Sequence, residues 1–293
     1  MNPMIRLMVL VAAALVCSPA FGVIVAGGDG TGNTAADGNF PAGWEYVGIC
    51  GNGSAVYLGD GWALTAYHVS PKASVNFGGL DYAVESSVRL HDPYNPTAVT
   101  DLTLMKLVTS PDLPTLNIAA TPAAAGDPIT MIGAGRNRAA SFTWYDTDPD
   151  PWSETAEDIL HTADAYKYAD GRTLRWGTNV VTSQVEGMGD YGYLIGFWAT
   201  FDDNVGPNEA MAAPGDSGGG VFDASGTLLG VMTNIRLLEG QPSETVAYGN
   251  ATFMIDLSNY RDEILAVTGI PEPATLTTLL AASALVALRR RRA

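Results

Sequence analysis

Residues 214–222 read PGDSGGGVF, and two interpretations of them are open. Glycine allows positive φ and serine bonds its neighbouring backbone, so the stretch fits an ordinary tight turn in a chain with 33 glycines. It also fits a nucleophilic serine, Ser217, exposed on a sharp turn. Because a serine hydroxyl is a weak nucleophile until a neighbouring base takes its proton, the histidines of the chain must decide between the two.

Every histidine in the chain precedes this serine. The 3 histidines are His68, His91 and His161. Residues 215–219 fit the G-x-S-x-G pattern of α/β-hydrolases, but those enzymes place their histidine after the serine, so the chain order excludes them. The subtilisin order needs an acid before His68, where the candidates Asp29, Asp37 and Asp60 lie in turn-like glycine settings. The order His, Asp, Ser remains.

Three short blocks agree with that order: TAYH at 65–68, DLTLMKL at 101–107 and GDSGG at 215–219. They resemble the histidine, aspartate and serine blocks of the chymotrypsin (trypsin-like, S1) serine protease family, at spacings of 33 and 116 residues. The resemblance covers about residues 24–267 and is poor over 138–193. It implies an all-β fold of two six-stranded Greek-key β-barrels with a short C-terminal helix. Independently, short Val-, Leu- and Thr-rich runs between turn residues predict an all-β body.

The resemblance implies a catalytic triad. Ser217 would attack a carbonyl carbon, His68 would take the serine proton and return it to the leaving amine, and Asp101 would fix the imidazole tautomer. The N–H groups of Gly215 and Ser217 would form the oxyanion hole, where glycine turns an N–H inward without a side chain in the way. No metal or cofactor is expected. Taken singly, His68 also fits a core histidine and Asp101 a strand-start cap.

Both ends of the chain resemble sorting signals. Arg6, ten apolar residues at 7–16 and small residues before position 23 predict a signal peptide at 1–22, since a membrane anchor needs about 20 apolar residues. At the other end, IPEPATLTTLLAASALVALRRRRA at 270–293 resembles the PEP-CTERM signal, whose tail an exosortase removes. A simple tail anchor is the alternative. The predicted domains are 1–22, a protease domain at 23–268 and a tail at 269–293.

These signals predict an exported protein of the cell envelope or extracellular surface, held transiently at the membrane by its tail. Signal peptidase and an exosortase-type enzyme would then be processing partners. In the family, the acid before the nucleophile pairs with a newly cut N-terminal ammonium. Residues 23–28 read VIVAGG, so Val23 or Ile24 would supply that ammonium to Asp216 after signal cleavage. The alternative is that Asp216 bonds only turn amides.

The net charge limits the classes of binding partner, and the cysteine count limits the possible disulfides. A formal net charge of −16 excludes nucleic acid and anionic lipid as partners of the folded domain. Of the 2 cysteines, Cys17 would leave with the signal, so no intrachain disulfide is expected. Cys50 stands where the family has the first cysteine of a disulfide beside the catalytic histidine. Val69, directly after His68, stands in place of the second cysteine. We expect Cys50 to be a buried structural residue.

Two segments have local expectations of their own. Residues 143–163 read as an acidic loop at a substrate rim. Asp146, Asp148 and Asp150 alternate as calcium ligands do, but Pro151 stands where an EF-hand loop needs glycine. Residues 258–267 predict a closing helix capped by Ser258 and ended by Gly269.

The residues of the substrate-specificity pocket are predicted from the family resemblance alone. Met211 stands six residues before Ser217, where trypsin-like members have an acid, so a Lys or Arg preference is not supported. Thr233 stands where the family has a substrate-binding serine, and Ile235 where a pocket-wall glycine is common. Bulk at these positions predicts small or apolar P1 residues.

The leading hypothesis is a serine endopeptidase that acts on protein or peptide substrates. A catalytically inactive surface binding protein with the same fold is one alternative, and an esterase with the same triad is another. The sequence does not identify the natural substrate or the oligomeric state.

Overall fold

The computed structural model describes residues 22–38, 40–156 and 161–271. The predicted signal peptide, apart from Gly22, and the predicted tail from residue 272 onward lie outside these ranges. Within them, no helix is long and apolar enough to cross a membrane.

The amino-terminal half forms a closed barrel. Six strands surround it in the order β2-β3-β4-β7-β6-β5. The strands of this half are β1 (Ile24–Val25), β2 (Val47–Cys50), β3 (Gly53–Gly59), β4 (Trp62–Ala66), β5 (Ser74–Phe77), β6 (Leu80–Asp92) and β7 (Asn95–Leu107). The Asp60-Gly61 turn between β3 and β4 has positive φ at both residues, +47° and +73°, the geometry that an Asp-Gly hairpin turn requires.

The carboxyl-terminal half is built on a seven-stranded antiparallel sheet in the order β13-β8-β17-β18-β20-β15-β14. Six strands were expected, and the edge strand β14, which pairs with β15, makes a seventh. The strands of this half are β8 (Pro128–Gly133), β9 (Arg136–Arg138), β10 (Thr143–Asp146), β11 (Ser153–Thr155), β12 (Thr162–Arg172), β13 (Arg175–Val180), β14 (Ser183–Gly189), β15 (Gly192–Thr200), β16 (Ala210–Met211), β17 (Gly220–Phe222), β18 (Leu228–Arg236), β19 (Thr245–Ala247) and β20 (Ala251–Asp256).

The segment between β8 and β13 forms an additional sheet together with β19. Strands β11, β10, β12 and β19 pair in that order, and β9 pairs with β12. The acidic loop expected at 143–163 is therefore wrong in part, because β10 and β11 form a hairpin within it. The buried Tyr145 packs with Ala165 and Ala247, which supplies the apolar contact that holds the hairpin in place. Asp146 is the last residue of β10, and its Oδ1 accepts a hydrogen bond from the N–H of Asp148 at 3.0 Å.

The chain closes on a short helix, α1 (Arg261–Thr268), preceded by a 3₁₀ turn at Leu257–Asn259. The predicted cap was wrong: Asp256 accepts the N–H of Ser258 at 3.0 Å, so the aspartate caps the turn. Gly269 ends the helix with φ +67°, as predicted.

A large hydrophobic core fills the first barrel and extends to the start of α1. Cys50 lies in it with no exposed surface and, within the part of the chain that the structure describes, no disulfide partner. Burial raises the pKa of its thiol to about 11, so the thiol stays protonated and inert, as expected for a structural cysteine.

Candidate active site

His68 and Asp101 are brought together by the pairing of β4 with β7. Leu102 lies opposite Ala66, and His68 lies two residues beyond the end of β4. Nδ1 of His68 is 2.8 Å from Oδ2 of Asp101, and the backbone N–H of His68 donates to Oδ1 at 3.1 Å. The histidine side chain is 20% exposed and the carboxylate 1%. Asp101 lies inside the long strand β7 and not at its head, so it is not a strand-start cap.

Tyr191, at the tip of the β14–β15 hairpin, covers one face of this histidine. The two rings are stacked, with centroids 5.1 Å apart and planes at 24°. Arg89 holds the tip, because it donates to the carbonyl of Tyr191 and, at 2.8 Å, to that of Thr100. Sequence reasoning missed Tyr191, since the hairpin lies in the stretch that resembles the family poorly.

Ser217 lies in the turn between β16 and β17, against the first barrel. Its carbonyl accepts the N–H of Ser54 at 2.7 Å. The α-carbon of Gly53 fits between that carbonyl and the side chain of Val69, the residue after His68, so the backbone of Ser217 lies close to the segment that carries His68. Among the hydrogen bonds of the described residues, Ser217 Oγ makes one, to the carbonyl of Thr233 at 3.5 Å, and none to His68.

The backbone around Ser217 leaves two N–H groups available. The N–H groups of Asp216, Gly218 and Gly219 are all bonded, at 2.7–2.9 Å. Those of Gly215 and Ser217 donate to no acceptor among the described residues. Gly215 has φ +103°, in the region that favours glycine. These are the two N–H groups predicted to form the oxyanion hole, and that role stays a prediction.

Asp216 points into the protein and is fully buried. Its carboxylate accepts the N–H groups of Ala213 and Gly135, both at 2.7 Å. Burial raises its pKa to about 7, while those two N–H donors and the positive charges of Arg172 and Arg175 act in the opposite direction. The turn-amide role considered for Asp216 is therefore present in the structure.

The predicted pocket residues lie on two strands, Met211 on β16 and both Thr233 and Ile235 on β18. Met211 is fully buried and pairs with Ile24, and Thr233 is 6% exposed. Ile235 lies directly opposite Thr252, on β18 and β20. The Thr252 hydroxyl accepts the N–H of Ala212 at 2.9 Å, and this hydrogen bond connects the pair of Ile235 and Thr252 to the residue that follows Met211. Thr252 was missed because only strand register reveals its position.

Within the described ranges, no group of three or more His, Cys, Asp or Glu side chains is arranged to hold a metal ion.

Two solved structures share this architecture. Human heparin binding protein is 16% identical, with a TM-score of 0.51, and the match covers 80% of this chain and 96% of that protein. Neuropsin, a serine protease expressed in the limbic system of mouse brain, is 17% identical, with a TM-score of 0.50 and coverage of 78% and 96%. These likenesses confirm the chymotrypsin-like fold. No curated protein matches the sequence.

The family model described as a trypsin-like peptidase domain matches residues 53–231. That span is more than half of the chain, and it contains His68, Asp101 and Ser217. The chain therefore belongs to the trypsin-like peptidase domain family.

Proposed function

We propose that this protein is an exported serine endopeptidase that cleaves peptide bonds through an acyl-enzyme intermediate. One arrangement carries the proposal. The ring of the partly exposed His68 bonds the buried Asp101 at 2.8 Å. Close to the segment that carries His68, Ser217 has an unbonded backbone N–H and follows a second one, that of Gly215.

The chemistry follows from these positions. Asp101 accepts from Nδ1 of His68, which leaves Nε2 unprotonated and able to accept the serine proton. Ser217 Oγ attacks the scissile carbonyl, and the N–H groups of Gly215 and Ser217 bind the oxyanion that forms. The imidazolium then protonates the leaving amine. A water molecule, activated by the same histidine, releases the acyl group and restores the serine.

The serine hydroxyl must turn for this step. Its bond to the Thr233 carbonyl is long, at 3.5 Å, and hence weak. The mechanism requires Oγ to turn toward His68 by a change of rotamer about Cα–Cβ. Catalytic hydrogen bonds are often loose without substrate and tighten in the complex.

The pocket supports small or apolar P1 residues. Cross-strand partners point to the same face of a sheet, so the side chains of Ile235 and Thr252 lie side by side on one face of β18 and β20 and narrow a pocket on that face. Met211 provides no charge at the base, where a Lys or Arg side chain would need one.

We further propose that signal peptidase cleaves after Gly22 and frees the Val23 ammonium. Ile24 is engaged in the β1–β16 pair, so Val23 is the first residue outside that pair. Gly22 lies against the carbonyl of Gly133, whose α-carbon in turn lies against Asp216. An ammonium there would lower the raised pKa of Asp216 and ionise it. N-terminal sequencing of the mature protein that finds a start well beyond Ile24 would exclude this activation.

The C-terminal segment supports export with a transient membrane anchor. Its Pro-Glu-Pro, apolar run and four arginines at 289–292 match the order of a PEP-CTERM signal, with exosortase-type removal of the tail. Mass spectrometry of the C-terminus in the native host distinguishes a removed tail from a retained anchor.

The decisive experiment is labelling of the purified mature protein with a fluorophosphonate probe. We expect wild type to label and Ser217→Ala not to label. A folded wild type that does not react would favour the inactive binding protein instead. Matched amide and ester substrates then separate an endopeptidase from an esterase.

A further inference from the structure

Arg172, the last residue of β12, binds four backbone carbonyl oxygens at once. Its Nε donates to Ala134 at 2.7 Å and its Nη1 to Gly51 at 2.9 Å. Its Nη2 donates to Gly53 at 2.7 Å and to Gly215 at 3.1 Å. One planar guanidinium therefore connects the turn between β2 and β3, the end of β8 and the loop that precedes the nucleophile.

The last of these carbonyls belongs to a candidate oxyanion-hole residue. The carbonyl of Gly215 also accepts the Ser54 hydroxyl at 3.1 Å. A side chain at position 215 would meet Nε of Arg172 at 2.7 Å, so the guanidinium lies against the bare α-carbon of Gly215. The close approach therefore requires glycine at 215.

The preceding peptide is held from the same side. The carbonyl of Pro214 accepts the backbone N–H of Arg136 at 2.9 Å, and this carbonyl is in the peptide that carries the Gly215 N–H. Arg136 lies opposite Arg172 in the β9–β12 ladder. Turning the Gly215 N–H out of the cleft would break bonds to this ladder on both sides of residue 215.

Arg172 also brings positive charge to the loop. All of its hydrogen bonds among the described residues go to carbonyl oxygens, and none to a carboxylate. Burial lowers the pKa of Arg172, and the nearby Asp216 acts in the opposite direction. Arginine stays protonated under such conditions, so the carbonyl of Gly215 faces a cation. Neither of the chain's 2 cysteines lies in this loop, so no disulfide braces it.

We propose that Arg172 is a positioning residue of the oxyanion hole: its guanidinium holds the peptide that follows Gly215, as the Arg136 N–H holds the peptide before it, so that the Gly215 N–H faces the developing oxyanion. The role rests on the proposed protease function. It predicts that the loss of Arg172 weakens the binding of the transition state more than the binding of the substrate.

The test compares Arg172→Gln and Arg172→Lys with Lys106→Gln, which removes one positive charge from the outside of the first barrel. Each variant is assayed with a fluorogenic peptide amide bearing Ala or Val at P1, and with the matching peptide aldehyde. The aldehyde adds to Ser217 and places an oxyanion in the hole, whereas the substrate in its ground state does not. Melting temperatures are measured in parallel, and the assays are run well below them.

For Arg172→Gln we expect kcat to fall roughly 10- to 100-fold, below the 10²–10³ loss typical of deleting an oxyanion donor outright. KM should change less than about twofold, and the aldehyde should bind more weakly by a factor similar to the loss in kcat/KM. Arg172→Lys should retain part of the activity, because the lysine ammonium keeps the positive charge but lacks the planar set of N–H donors of a guanidinium. Lys106→Gln should match wild type.

An Arg172→Gln enzyme with a lower melting temperature but unchanged kcat and aldehyde affinity would show a merely structural role and overturn the proposal. If that variant does not fold, Ser54→Ala removes the other donor to the Gly215 carbonyl. It should lower kcat several-fold with KM unchanged, and an unaltered kcat would count against the proposal. A folded wild type that fluorophosphonate does not label overturns the protease function itself, and the role of Arg172 with it.

Discussion

Asp101 contacts His68 through both carboxylate oxygens, one on the ring at 2.8 Å and one on the backbone N–H at 3.1 Å. Both partners are donors, so the site needs a group that accepts on both oxygens. A neutral amide of the same shape has one acceptor and one donor, and it must leave one of these contacts wrong.

Asp101→Asn should therefore lower kcat about 10⁴-fold. If the amide oxygen bonds the backbone N–H, the amide nitrogen faces Nδ1 and forces the proton onto Nε2, where it blocks general-base catalysis. Steady-state kinetics and thermal melting measure the effect. Asp81→Asn, an exposed change of the same kind, is the control, and a loss of less than tenfold in Asp101→Asn would contradict the assigned role.

Ile235→Gly should widen the P1 pocket toward aromatic residues. Removing this wall opposite Thr252 should raise kcat/KM for P1 Phe relative to P1 Ala by roughly 10- to 100-fold, since each methylene of fit is worth about 1–3 kcal/mol. A P1-variable fluorogenic library measures the profile. Val180→Gly, which removes a β-branched side chain at an exposed strand position, should leave it unchanged. The same profile in wild type and Ile235→Gly would exclude Ile235 from the pocket.

The sequence predicts the parts of this site that depend on local signals. The blocks at 65–68, 101–107 and 215–219 carry their residue types in a fixed local order. The pairing of β4 with β7 brings the first two together, and a backbone bond from Ser54 to Ser217 holds the third against the same barrel. The additional sheet was missed because its pairing is remote: Ala165 lies opposite Ala247. Arg172 was missed for a different reason. All four of its acceptors are backbone carbonyl oxygens, and because any residue has one, the sequence does not show which residues Arg172 bonds.

Tyr191→Ala should lower kcat/KM roughly 2- to 12-fold, whereas Tyr191→Phe should match wild type. The stacked ring restrains the imidazole of His68, and such aromatic contacts are worth about 0.5–1.5 kcal/mol. The phenylalanine variant keeps the ring and removes only the hydroxyl. Equal activity of the alanine variant and wild type would mean that the hairpin tip does not restrain the histidine.

Glu209→Gln should stabilise the protein at pH 8 and have little effect at pH 5. Burial raises the pKa of Glu209 from its ordinary 4.5 to about 7 in the folded state, against the hydrogen bond it accepts from the N–H of Asp202. Its contribution to stability is therefore complete below pH 4.5 and is lost as the pH rises through 7, because ionisation favours the unfolded chain. At pH 8 the loss is roughly 2–3 kcal/mol, and glutamine, which does not ionise but still accepts the Asp202 bond, avoids it. Urea unfolding at both pH values measures the difference, with the exposed Glu239→Gln as control. A gain for Glu209→Gln of the same size at pH 5 and pH 8 would show that ionisation of Glu209 is not its source.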